Sequence, residues 1–355
     1  MALGVVAGAL VSGPPAPPVS AAVATAPVGT VEVTGPGTED CPGGFSCVDV
    51  AVTCAEPYAT VPAATGTLAI GRFTGARRGV LVTFGGGGGR DFWLAGGGGR
   101  TLWKRLAKNG IEEIAVAWHA EWNTGAGGFA ALSCRPAAVI EWAAARDAAA
   151  GSTPPAGDGV CGVCVIGYSV GSGQAASAVA FHDVGDLVDG VITASGPPNA
   201  DLLAGCARDG SPLQFLEPEE NAMRGRVDDS YDEGAAGPGS CSVLPEDLTA
   251  EADWRASSLV DVGRLSFPTT RFDFAWGDAD RTGAVGQGMT WLAALADAGT
   301  PLLRYACVPA HHDLFATTAG RAALLEAILW TPATGLNVPP VPQPTITPRC
   351  TAPAQ

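Results

Sequence analysis

Histidine is scarce in this chain. There are four in 355 residues: His119, His182, His311 and His312. No cysteine pair in C-x-x-C spacing recurs with a second pair or with paired histidines, so the patterns of a zinc site are absent. Positive charge is scarce as well. Twenty Lys and Arg face 35 Asp and Glu, a formal net charge of −15, which opposes a phosphate backbone and excludes nucleic acid as a partner. The acidity is read as a solubility feature. No apolar run is long enough to span a bilayer, so stable membrane insertion is not expected. No Gly-Lys-Ser/Thr follows the glycine clusters, which excludes a P-loop, and the glycines lack the spacing of a dinucleotide site at a helix start. No metal and no organic cofactor is implied.

What the chain does have is apolar mass: 47% of its residues are hydrophobic, enough for a large core. Its 49 Gly and 28 Pro gather in loops and tails without a period, so neither a collagen-like nor a repeat architecture is indicated. Near the start, "ALGVVAGALV" is a short apolar run followed by small residues around "PVSAAVATA", as in an export signal, although a basic n-region is missing. Ten cysteines point the same way, to an oxidising, secreted location with most thiols in disulfides. The favoured local bridges are Cys41 or Cys47 with Cys54, and Cys206 with Cys241. Cys161 and Cys164, in "CGVC", fall in a strand-like segment rather than at a helix N-terminus. They are therefore read as structural and not redox cysteines.

Residues 1–40 are read as a signal-like, disordered segment, 41–335 as the folded domain and 336–355 as a Pro-rich tail that Cys350 could pin down. Inside the domain strand-like and helix-like segments alternate. Strands are expected at 67–73, 79–84 (with "GARR" as the turn between these two), 111–118, 159–168, 187–195, 269–276 and 301–308. Helices are expected at 101–110, 135–150, 171–182, 286–299 and 319–330. Such alternation with apolar strands predicts an α/β fold: a mostly parallel central sheet flanked by helices on both faces. The acidic, Gly-rich segment 200–262 is too long for a plain connection and is expected to be a cap or lid.

Ser169 sits in "VCVIGYSVGSGQAA" between Gly167 and Gly171, after an apolar strand and before a helix of small residues. That context predicts a strained turn with an exposed hydroxyl, and Val170 offering its N–H from the helix start. A hydroxyl needs a base. His311 and His312 lie in "PAHHD" after the last strand, and Asp278 and Asp280 lie in "WGDAD" after the strand before it. Gly85–Gly89, directly after an early strand, can bring backbone N–H groups to a developing oxyanion. All these segments fall at carboxyl ends of strands, which share one edge of a parallel sheet. His119 and His182 are read as surface or packing residues. Trp93, Trp118 and Trp122 are candidates for either a pocket or the core.

Over about 67–330 these motifs, in the order Ser, Asp, His, resemble the α/β-hydrolase superfamily, in particular its secreted serine esterases and lipases. The loop lacks the His of the H-G-G-G version, and no Gly directly precedes the histidines. The resemblance implies Ser169 as nucleophile, His312 as base, Asp280 as the acid orienting it, and Val170 with Gly86 or Gly87 as oxyanion hole. Asp278 and His311 remain the alternatives. It further implies hydrolysis of a small-molecule or polymeric carboxylic ester through an acyl-enzyme, without metal or cofactor. A serine peptidase and a non-catalytic binding protein on the same scaffold are the other readings.

Overall fold

Successive residues of a strand face opposite sides of its sheet, so a strand that is apolar throughout must be covered on both. The computed structural model describes residues 27–37, 41–72, 76–87, 89, 91–92, 97–150, 161–207, 211, 213–215, 221–231, 241–242 and 251–329. The described strands are β1 (Gly29–Pro36), β2 (Phe45–Cys54), β3 (Ala64–Gly71), β4 (Gly79–Phe84), β5 (Ile111–Trp118), β6 (Val163–Tyr168), β7 (Gly190–Ala194), β8 (Arg271–Gly277) and β9 (Leu303–Val308). They form one nine-stranded sheet in the order β1-β2-β3-β5-β4-β6-β7-β8-β9. From β5 to β9 every pairing is parallel; β1, β2 and β3 join antiparallel to each other and to β5.

The described helices are α1 (Gly97–Lys108), α2 (Gly128–Leu132), α3 (Cys134–Ala149), α4 (Val170–Phe181), α5 (Leu202–Cys206), α6 (Asn221–Asp229), α7 (Glu251–Ala256), α8 (Ala284–Asp297) and α9 (Thr318–Leu329). The period of two in β4 divides the core. Val80, Val82 and Phe84 join one cluster with Val139 and Ile140 of α3 and Val179 of α4. Leu81 joins the other, with Leu102 and Leu106 of α1 and Leu324 and Ile328 of α9. Burying each such side chain contributes about 1.5–3 kcal/mol, so the sheet is held as the middle layer of three.

Three expectations change. The segment 1–40 is not wholly disordered: Gly29–Pro36 is β1, paired along β2. Its "GTVEVTGP" has only two valines and most of its residues exposed, so it forms through its partner rather than through its own pattern. Residues 1–26 and 330–355, with Cys350, lie outside the described residues. The two strands flanking "GARR" do not form a hairpin, because β4 bonds in parallel to β5 and β6 and both its edges are taken.

The cysteines correct the third. Cys206–Cys241 is bridged as expected, but Cys41 pairs with Cys47 and Cys54 with Cys134 at the start of α3. The reason is tertiary: the β1–β2 edge packs on α3, where the Val28 N–H also donates to Glu141 Oε2 at 3.0 Å. Cys161 and Cys164 are bridged to each other, buried beside Arg271. Cys307 is also disulfide-bonded.

β5 carries two buried acids. Glu112 faces Arg77 at 2.8 Å and Arg146. Glu113, on the other face, accepts one hydrogen bond from Thr83 at 3.2 Å, and its Oε2 has no partner. Burial pushes the Glu113 carboxyl up to about 8, against the weaker opposing pull of Thr83. Its folded pKa therefore lies above its unfolded one. Between about pH 4.5 and 8 the unfolded chain ionises while the native chain keeps its proton, so stability is lost as pH rises through that window. Glu113→Gln removes this pH dependence. Its Tm should fall less than wild type's between pH 5 and 8, by several degrees; parallel curves for the two proteins would refute the assignment.

Candidate active site

The turn at Ser169 is built by close backbone approach. Ser169 closes β6 with φ 54° and ψ −122°, a sparsely populated conformation for a residue with a side chain. Its N–H is held by the Ala194 carbonyl at the end of β7, 2.8 Å away. A Cβ on Gly167 would stand 2.1 Å from the Gly171 carbonyl oxygen, and one on Gly171 would stand 2.3 Å from those of Phe84 and Gly85. Glycine at both places lets α4 start directly above β4 and β6. That start leaves the Val170 N–H, in the helix's first turn, free of an intrahelical acceptor.

The carboxyl ends of β8 and β9 supply the side chains that meet Ser169. His312 Nε2 lies 2.9 Å from Ser169 Oγ, and its Nδ1 lies 2.9 Å from Asp280 Oδ2. With the proton on Nδ1, the ring donates to the carboxylate and accepts from the serine hydroxyl. Asp280 is buried, and its other oxygen accepts from the Thr282 N–H at 2.9 Å and the Thr282 hydroxyl at 2.8 Å. Both of its oxygens are thus committed and its orientation is fixed. The alternatives make other contacts. His311 is exposed, with Nδ1 3.3 Å from the Ala279 carbonyl, and Asp278 contributes its backbone N–H to the Val308 carbonyl.

Gly86 borders Ser169: a Cβ there would lie 3.5 Å from Ser169 Cβ. Gly87, at φ +59°, lines the same cleft of about 360 Å³ as Ser169, Val170 and His312. Gly88 and Arg90 lie outside the described residues. The rest of the lining is mainly small or apolar, with Pro198, Ala222, Met223 and Ala284, together with Thr282 and Arg226. Ala222, Met223 and Arg226 belong to α6, in the segment expected to cap the site. The carboxyl end of α6 is sewn to the body. The Arg226, Asp229 and Ser230 carbonyls accept from Asn123 Nδ2 and from the N–H groups of Gly125 and Gly128, at 2.9, 3.1 and 2.7 Å. This part of the segment forms a wall of the cleft. Much of the remainder of 200–262 lies outside the described residues.

Several neighbours carry no sequence signal of the catalytic type. Ser195, also at positive φ (52°), donates its hydroxyl to the His312 carbonyl at 2.6 Å and so holds the histidine loop against β7. Tyr168 sets its ring 5.4 Å from that of His312. Burial first, then the Asp313 and Asp280 carboxylates, push its hydroxyl up, so it stays a neutral phenol. Thr282 did leave a trace: Asp-x-Thr is the spacing at which an Asp side chain accepts from the backbone two residues on. Trp118 and Trp122 are buried in the core, Trp118 donating to Gln174 at 2.9 Å, and Trp93 lies outside the described residues. His182 is buried against Ser133 and Tyr58, its pKa lowered to about 4 by burial, and His119 bridges Thr65 and Thr67. Among the described residues no His/Cys/Asp/Glu group could hold a metal ion, and no helix is long and apolar enough to cross a membrane.

No protein-family model matches the chain, and no curated protein does. Solved structures do match. A bacterial heroin esterase superposes with a TM-score of 0.51 at 15% identity, over 81% of this chain and 84% of that one. Brefeldin A esterase, a bacterial homologue of human hormone sensitive lipase, superposes with a TM-score of 0.50 at 17% identity, over 82% of this chain and 78% of that one. At such identities the likeness concerns architecture: the chain has the α/β-hydrolase fold of esterases and lipases.

Proposed function

We propose that the chain is a secreted serine hydrolase of carboxylic esters, working through an acyl-enzyme on Ser169. The observation that carries this reading is the relay of two 2.9 Å contacts from Ser169 Oγ through His312 to the buried Asp280, opening into a cleft. A serine kept only for a tight turn needs neither contact.

In this reading His312 Nε2 takes the Ser169 proton as Oγ attacks the ester carbonyl. The tetrahedral oxyanion is received by the Val170 N–H and an N–H of Gly86 or Gly87. His312 returns the proton to the leaving alkoxide, and the alcohol departs. Water then gives its proton to the same nitrogen, attacks the acyl carbonyl and releases the acid, restoring the Ser169 hydroxyl. Asp280 keeps the ring in the required tautomer and stabilises the imidazolium. The largely apolar lining favours esters of modest acyl chains, and the wall formed by α6 is the candidate limit on their length. Export rests on the apolar N-terminal run and on the buried disulfides, which need an oxidising compartment.

The direct test is a series of p-nitrophenyl esters from two to sixteen acyl carbons, set beside a p-nitroanilide of the same acyl group. Turnover of short esters, falling with chain length and weak on the anilide, is expected. Anilide turnover matching that of the ester would replace the esterase reading by a peptidase one.

A further inference from the structure

Among the described residues Arg226 is the cation of the cleft, and its charge is only loosely engaged. It sits on α6, and its guanidinium Nη2 would stand 3.8 Å from a Cβ placed on Gly87. Its carboxylate neighbour is Glu121. Nη2 donates to Glu121 Oε1 at 3.3 Å, and Nε stands 3.3 Å from Oε2. Charge-assisted bonds are normally about 2.7–2.9 Å long. Nε, although buried, makes no hydrogen bond at all. The Arg226 side chain is 15% exposed and Glu121 31%, so the acid leans to water while the cation stays at the wall. The helix is anchored there by the bond from Asn123 to the Arg226 carbonyl. A guanidinium has five donors in a rigid fork matched to a carboxylate. Held in place beside an otherwise largely apolar cleft, it is a preorganised anion site.

We infer that Arg226 is a specificity-determining residue and that the cleft takes esters carrying a carboxylate. This rests on the ester-hydrolase reading of Ser169. The ligand's carboxylate takes the fork from Glu121, and a neutral ester of equal size forgoes that pairing. The carboxylate can stand on the acyl or the alcohol side, and two probe pairs separate these. The acyl-side pair is p-nitrophenyl monoadipate with p-nitrophenyl hexanoate. The alcohol-side pair is 4-butanoyloxybenzoate with its methyl ester.

For each pair the readout is the ratio of kcat/KM, acidic over neutral. In the Arg226→Gln variant the ratio should fall by about 10- to 100-fold on one side, the worth of a hydrogen bond to a charged group. Arg226→Lys should retain part of the ratio, and Glu121→Gln, which removes the competing carboxylate, should raise it. Salt should erode the wild-type ratio by screening. Ratios that stay constant across all three variants would overturn the inference. So would an equal loss on acidic and neutral esters in Arg226→Gln, which would point to oxyanion stabilisation instead. Both outcomes leave the hydrolase reading standing, whereas a wild type that cleaves none of the four esters overturns both.

Discussion

Ser169→Ala should lower kcat on p-nitrophenyl butanoate by about 10⁵- to 10⁶-fold, the scale on which losing a triad nucleophile acts. Fold and Tm should hardly change. The hydroxyl's hydrogen-bond partner is His312, in a half-exposed position, so removing it leaves no buried polar group stranded. The turn itself is fixed by backbone: the Ser169 N–H on Ala194, and the glycines at 167 and 171 that let α4 approach β4. Alanine fits the same positive φ at a similar cost. Turnover within tenfold of wild type, in a protein free of contaminating esterase, would remove the assignment.

His312→Ala and His311→Ala should separate just as sharply. The first is expected to cost several powers of ten in kcat, because both ring nitrogens are in the relay. The second should cost less than about tenfold. Its ring is exposed, and the contact it makes is 3.3 Å to the Ala279 carbonyl. Neighbouring residues of an extended loop project to opposite sides, so only one of the two can face β6. A dead His311→Ala beside a near-normal His312→Ala would reverse the assignment and keep the hydrolase chemistry.

How much was legible in the sequence follows from what each element depends on. β4 and β6 are almost wholly apolar or β-branched and each begins at or just after a glycine, so their composition declares them, while β5 is legible from the apolar residues around Glu112 and Glu113. The helix after Ser169 is announced by small residues, because only small residues allow its backbone to ride on the strands. The preference for His312 and Asp280 rests on the resemblance, and the Thr282 contacts that hold the Asp280 carboxylate are a separate observation that supports the proposal. β1 was missed because its stability resides in β2 and α3, not in "GTVEVTGP". Cys54–Cys134 was out of reach for the same reason: the partners are 80 residues apart and meet only once that edge packs. Ser195 and Arg226 carry no local pattern. One becomes visible through its strained φ and its bond to the His312 carbonyl, the other through the cleft it shares with Ser169.

Every step of the proposed reaction depends on Ser169 being an activated nucleophile. Incubating the native protein with a fluorophosphonate probe, digesting it and mapping the adduct by mass spectrometry tests that most directly. One stoichiometric adduct is expected, on the peptide containing "GYSVG" at Ser169, lost in Ser169→Ala and strongly slowed in His312→Ala. An unlabelled protein, or an adduct on any other residue, would contradict it.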